Sequence, residues 1–202
     1  MSAAVDAPTV VGARLGHDFF ARPAAAVAPA LIGCTLLVDG VGGVIVETER
    51  YQDDDPASHS FRGPRGRALV MFGPPGHLYV YRSYGIHWCA NVVCDAPGRG
   101  CAVLIRAVEP VWGMDAMRER RGSVADRLLC AGPGRLCQAL AIDATLNDAP
   151  LTDAAGRASI HAAREGVEIA VGPRIGISAA TENRWRFGLA GSRYLSRPFP
   201  RP

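Results

Sequence analysis

Val44-Ile45-Val46-Glu47-Thr48-Glu49-Arg50-Tyr51 opens as a β-branched strand and ends as something less ordinary. Valine and isoleucine suit a pleated, half-buried surface. After them come two carboxylates and a tyrosine, where a buried strand would carry aliphatics. Side chains alternate across a strand with a period of two. A chain extended to residue 51 therefore places Ile45, Glu47, Glu49 and Tyr51 on one face, and Val44, Val46 and Thr48 on the other. Acids at the end of an apolar strand are costly to bury unless they are partnered or used. The plain alternative is a sheet-edge strand whose carboxylates are solvated.

Upstream, Cys34–Val38 and Val41–Thr48 flank Asp39-Gly40, a hairpin signal. Pro23 suits the first turn of a helix running to Ile32, with Gly33 as its stop and Pro29 as a kink. Residues 1–12 read as a flexible arm, and 13–202 as one domain. Downstream, Arg50 to Arg67 is polar, with Pro56, Gly63, Pro64 and Gly66. A loop of that length in a compact domain is usually functional or disordered. His77–Tyr84 and His87–Cys94 are aromatic-rich runs on either side of Gly85-Ile86, which makes a second hairpin with Tyr84 at its tip. Cys101–Val108 is a further strand, apolar except for Arg106.

Pro110 is expected to start a helix ending near Gly122, and Gly132-Pro133-Gly134 to open another over Arg135–Ala141. Asn147–Gly166 has no clear pattern. Val167–Val171 and Arg174–Ile177 read as late strands. Arg184, Arg186, Arg193, Arg197 and Arg201 are interleaved near the C-terminus with Trp185, Phe187, Tyr194 and Phe199. The resulting expectation is an α+β single domain: a curved, mostly antiparallel sheet with surrounding helices and a protruding β-hairpin.

The 202 residues, 49% hydrophobic and 20% charged, are those of one soluble globular domain. No apolar run is long enough for a bilayer; the longest, Ala21 to Ile32, is broken by two prolines. The first residues lack the basic and apolar regions of a signal peptide, so a cytoplasmic protein with no membrane partner is expected. The six cysteines show neither a CxxC pair nor zinc spacing, and read as buried thiols. No metal or other cofactor is expected. The net charge of +3 permits a polyanionic partner without demanding one. All 22 basic residues are arginine. No lysine amine is available for Schiff-base chemistry, and phosphate contacts fall to arginine, which binds bidentately.

In sequence order, Ile45-Val46-Glu47-Thr48-Glu49-Arg50-Tyr51, Asp55-Pro56-Ala57-Ser58-His59, Gly76-His77-Leu78-Tyr79-Val80-Tyr81 with Tyr84-Gly85, Asn91, Val103–Pro110 and Gly132–Leu140 resemble the mammalian-type alkyladenine (3-methyladenine) DNA glycosylases. The resemblance runs from about Arg14 to Arg197, and a bacterial member of that family is expected. It implies hydrolysis of the N-glycosidic bond of a damaged purine after the nucleotide is rotated out of the duplex. It implies Glu49 as general base and Arg106 as the residue holding Glu49 and the water. It implies Tyr51, His59 and Tyr81 as walls of the base pocket and Asn91 as a gate against normal guanine. Tyr84 becomes the wedge that fills the gap left by the flipped base. Alkylated purines such as 3-methyladenine and 7-methylguanine are cationic, and aromatic rings attract cations by roughly 0.5–2 kcal/mol.

The implied partner is double-stranded DNA containing damaged bases, bound by a monomer. The missing lysine then implies a monofunctional enzyme. The chain departs from the family pattern in a Tyr51–His59 loop one residue shorter, with Asp53-Asp54-Asp55 where glycine and proline are usual. Two other classes compete. A metal-dependent hydrolase could draw on Glu47, Glu49, Asp53–Asp55 and His59. A non-catalytic binder of alkylated DNA could use the same pocket and wedge, and only Glu49 argues against it.

Overall fold

The structure, a computed structural model, describes residues 11–163 and 166–200. Its strands are β1 (Thr35–Val38), β2 (Val41–Tyr51), β3 (Leu78–Ser83), β4 (His87–Val93), β5 (Ala102–Trp112), β6 (Ala158–His161), β7 (Ile169–Gly172) and β8 (Arg186–Leu189). The helices are α1 (His17–Phe20), α2 (Ala24–Ala30), α3 (Met114–Arg121) and α4 (Pro133–Ala139). The strands form one curled antiparallel sheet in the order β3-β4-β5-β2-β1-β6, with β8 beside β2 and β7 beside β8. The α+β single domain expected from the sequence is thus the fold observed.

β2 is the hub. β5 pairs along its length, β1 pairs with Val41–Val44, and β8 takes over at Glu47–Glu49. The carboxylates therefore lie on an interior strand, and the solvated-edge alternative falls. The β1–β2 turn has Asp39 and Gly40 at φ 49° and 78°, the left-handed pair that a tight two-residue hairpin needs.

Strict alternation fails in the middle of β2. Ile45 pairs with Val108, Glu47 with Ala107 and Thr48 with Ile105. Val46 on one strand and Arg106 on the other are each one residue extra, a pair of offsetting bulges. Ile45 consequently joins the main core instead of sharing a face with Glu47. Thr48 also faces α2, where its hydroxyl donates to the Ala28 carbonyl at 2.8 Å. Bulges re-aim side chains, and here Arg106 is aimed at both glutamates.

The main core lies between the sheet and α2, α3 and α4, with Val27, Met117, Leu136 and Leu140 fully buried. A smaller cluster of Ala68, Met71, Tyr79, Val93 and Ala102 sits beneath the 3-10 helix Gly66–Phe72. It gives the pocket described below a firm wall. The six cysteines are buried and unbridged.

Several expected boundaries shift. Pro110 lies inside β5, beside the register shift at Gly42/Gly43, where its missing N–H is tolerated. The helix begins instead at Met114, after the left-handed Gly113. α2 stops at Ala30, and Pro29 is in its last turn. Arg174–Ile177 forms no strand, while β6 arises in the stretch without a pattern. Residues 1–10 of the expected arm, and Arg201, lie outside the described residues. The Gly12 carbonyl accepts from His161 at 2.9 Å.

Candidate active site

Glu49 has no exposed surface, yet both of its oxygens are engaged. Oε2 accepts from the Tyr51 hydroxyl at 2.9 Å and from Arg106 Nη1 at 3.2 Å. Oε1 accepts from the Ile175 backbone N–H at 2.8 Å. Burial pushes the carboxyl above its ordinary range, against the downward pull of Arg106, the Ile175 N–H and Tyr51. Tyr51, Arg106 and Ile175 all line a pocket of about 630 Å³, so the carboxylate lies one layer below its floor. A carboxylate with a raised pKa beneath a concave site is a candidate base.

The walls are aromatic. Tyr79 and Tyr81 stack with centroids 5.3 Å apart, and His59 stands edge-on to Tyr81 at 4.5 Å. Alternation from β3 alone would put Tyr79 and Tyr81 on one face, as found. His59 arrives on a short 3-10 helix, His59–Arg62, where the Ser58 hydroxyl caps the start by accepting from the Ser60 N–H. Burial and nearby Arg67 lower the His59 pKa, which favours the neutral ring. Its Nε2 lies 3.4 Å from Arg67 Nη2 and its Nδ1 2.9 Å from the Tyr79 hydroxyl. Arginine can only donate, which assigns Nδ1 as the protonated nitrogen. Burial pushes the Tyr79 hydroxyl up to about 12. Asn91, on β4, lines the pocket and donates to the Tyr79 carbonyl at 3.0 Å.

Tyr84 stands at the β3–β4 tip, 85% exposed, at φ 49°. A bulky residue held left-handed at a loop tip is strained. The adjoining Ile86 is 75% exposed. The structure thus gathers Tyr51, His59, Tyr81, Tyr84, Asn91 and Arg106 around one cavity.

Sequence reasoning missed three contributors. Ile175 acts through its backbone, which no side-chain motif reveals. Arg174 pairs with Asp55 out of solvent and lies 4.7 Å over the Tyr51 ring. Arg67 lies 5.3 Å over Tyr81. The acids offered as metal ligands disperse: Glu47 and Glu49 to Arg106, Asp55 to Arg174, Asp53 to Arg99. Among the described residues no three His, Cys, Asp or Glu side chains converge as metal ligands. No helix there is long and apolar enough to cross a membrane.

A buried carboxylate clamped by arginine beneath an aromatic slot, with an exposed aromatic on a hairpin beside it, is the equipment of a hydrolytic DNA N-glycosylase. The sequence profile described as methylpurine-DNA glycosylase (MPG) matches residues 18–193. A Nitrobacter winogradskyi protein is 55% identical over 192 residues, covering 95% of this chain and 91% of its own. One from Rhodopseudomonas palustris is 58% identical, covering 95% and 92%, and one from Nitrosospira multiformis 56%, covering 91% and 94%. All three carry the name "Putative 3-methyladenine DNA glycosylase". The chain belongs to the methylpurine-DNA glycosylase family, whose substrate is DNA.

Proposed function

We propose that the protein rotates damaged purines out of duplex DNA into this pocket and hydrolyses the N-glycosidic bond with a water activated by Glu49. The lesions are 3-methyladenine and 7-methylguanine, together with hypoxanthine and ethenoadenine. The observation that carries the reading is Glu49, buried and held by Arg106, Tyr51 and the Ile175 N–H directly under aromatic walls. As the C1′–N bond breaks, the bonding pair leaves with the purine and the sugar becomes oxocarbenium-like; a cationic lesion departs as the neutral base, and a neutral lesion takes up a proton from solvent as it departs. Water attacks C1′, and Glu49 takes its proton. Arg106 keeps the carboxylate aimed.

Tyr51, His59 and Tyr81 sandwich the base, and Asn91 excludes the amino group of normal guanine. Arg174 and Arg67 already occupy the neighbourhood of two of these rings. That offsets part of the rings' attraction for cations, so stacking and the easier unpairing of damaged bases carry more of the selection. Selection of that kind does not require a positive charge on the lesion.

The chain contains no lysine, so the reaction ends at an abasic site. The protein acts as a monomer, with residues 13–202 as the catalytic domain. Duplexes carrying a single hypoxanthine or 7-methylguanine should yield free base and an alkali-labile abasic site, with no adduct trapped by borohydride. Binding without base release would instead identify a non-catalytic binder, and a trapped adduct would contradict the monofunctional mechanism.

Tyr84→Ala separates folding from flipping. The side chain is so exposed that thermal stability should change by less than about 0.5 kcal/mol. Lost stacking in the vacated duplex gap should slow single-turnover release about 10- to 100-fold. An unaltered rate would remove Tyr84 as the wedge.

A further inference from the structure

We infer that Glu47 is a positioning residue: braced by Arg186 and the C-terminal Ser196, it holds Arg106 where that guanidinium can aim Glu49. The inference rests on Glu49 and Arg106 being the reacting pair proposed above.

Glu47 has no exposed surface. Its Oε1 accepts from Arg186 Nε at 2.6 Å and from the Ser196 hydroxyl at 2.9 Å, and its Oε2 from the Ser196 N–H at 2.6 Å. All three donors lie in the last strand and the tail that follows it. Phe199 fixes that tail: its ring packs under Arg186 at 4.0 Å and against Gly172 and Gly188, where any Cβ would collide with it.

Glu47 faces Arg106 differently. Its Oε1 lies 3.4 Å from Arg106 Nε, yet that N–H is buried without a hydrogen-bond acceptor. The two groups are within ion-pair reach, but the N–H makes no hydrogen bond to the carboxylate, so the attraction here is one of charge. Arg106 thus has one directed hydrogen bond to a carboxylate, to Glu49, and one fixed negative charge on its other flank. Glu47 and Glu49, with Arg106 between them and Arg186 beyond, form a nearly dry alternating row. Buried ion pairs are often no more stable than apolar replacements, so such a row calls for a role other than stability. Three donors make Glu47 rigid, and its charge prevents Arg106 from swinging wholly onto Glu49.

The effect should be legible in a pH profile. Arg106, Tyr51 and the Ile175 N–H touch Glu49, while Glu47, Arg174 and Cys89 face it from β2, the covering loop and β4. Removing the charge of Glu47 takes away a repulsion and frees Arg106 for Glu49. Both changes favour ionised Glu49, and the acid limb of the rate should move to lower pH.

Glu47→Gln, Glu47→Asp, Ser196→Ala and Glu49→Gln should be compared in full-length protein by single-turnover release and lesion-duplex affinity. E47Q is expected to release base about 100-fold more slowly, with affinity within about twofold and the acid limb displaced downwards. E47D should restore the position of the limb. S196A, which keeps every charge, should slow release about tenfold and decides the matter if E47Q does not fold. Wild-type rate and limb in E47Q or S196A, with E49Q inactive, would overturn the role of Glu47 alone. Full activity of E49Q would overturn the catalytic reading and this inference together.

Discussion

Glu49→Gln is expected to stop base release and leave lesion-DNA binding in place. A positioned general base contributes about 10²- to 10⁴-fold, and the loss should be at least that, because the same carboxylate also faces the positive charge developing on the sugar. Glutamine keeps the volume, and Arg106 keeps Glu47 as a counter-ion. The fold should therefore persist.

The pH dependence has a definite sign. Burial raises the Glu49 carboxyl, and the base works only when ionised. Release should fall as pH drops through that raised pKa, with an acid limb above the usual carboxylate range. Stability runs the other way. A pKa raised on folding contributes stability that is fully present below the unfolded value and is lost as pH rises through the folded one. The stability of E49Q relative to wild type should therefore improve with increasing pH. Release assays and thermal melts across pH 4–8 in both proteins check each part. A fully active E49Q would end the assignment.

Asp55→Ala should be the most damaging change among the three consecutive aspartates. Asp55 and Arg174 are paired with both side chains at 0% exposure, and Arg174 Nη2 donates to Oδ1 at 2.9 Å. Oδ1 also accepts from the Ala57 N–H. Removing the carboxylate leaves an uncompensated buried guanidinium, at about 3–5 kcal/mol. Arg174 precedes Ile175, whose N–H covers Glu49, and stacks over Tyr51 and Trp185. Asp55 begins the turn leading to His59. One ion pair therefore ties the His59 loop to the cover of the base. Denaturant unfolding should show the stability loss, and release should fall even in the folded fraction. Asp53→Ala provides the control: its partner Arg99 is largely exposed, and a solvent-screened pair of that kind adds little to stability. Equal effects at 53 and 55 would refute the distinction.

Much of the fold was legible from local rules. The Asp39-Gly40 turn, the β3–β4 hairpin and the strand carrying Arg106 follow from turn chemistry and period-two patterning. The ordered motifs offered Tyr51, His59, Tyr81 and Asn91 as a group, and the structure brings these four around one cavity. Pro110 misled because proline favours both helix starts and strand irregularities, and only the Gly43 partner across the sheet selects between them. Arg174–Ile177 misled because its alternating composition suits a strand, while its backbone N–H is used on Glu49.

By itself, then, the sequence determined that residues 44–51 form a strand carrying Glu47, Glu49 and Tyr51, because backbone propensity and turn signals act over a few neighbours. Local chemistry could not separate one acid from another, and only the family resemblance singled out Glu49. Asp53, Asp54 and Asp55 are chemically alike, as are Glu47 and Glu49. Bulges at Val46 and Arg106 arise only when β2 meets β5. Apart from Tyr51, the hydrogen-bond partners of Glu47 and Glu49 come from positions 57 to 149 residues away. Burial and charge pairing are properties of assembled surfaces, so tertiary structure alone made Glu49 the covered carboxylate and Glu47 its braced neighbour.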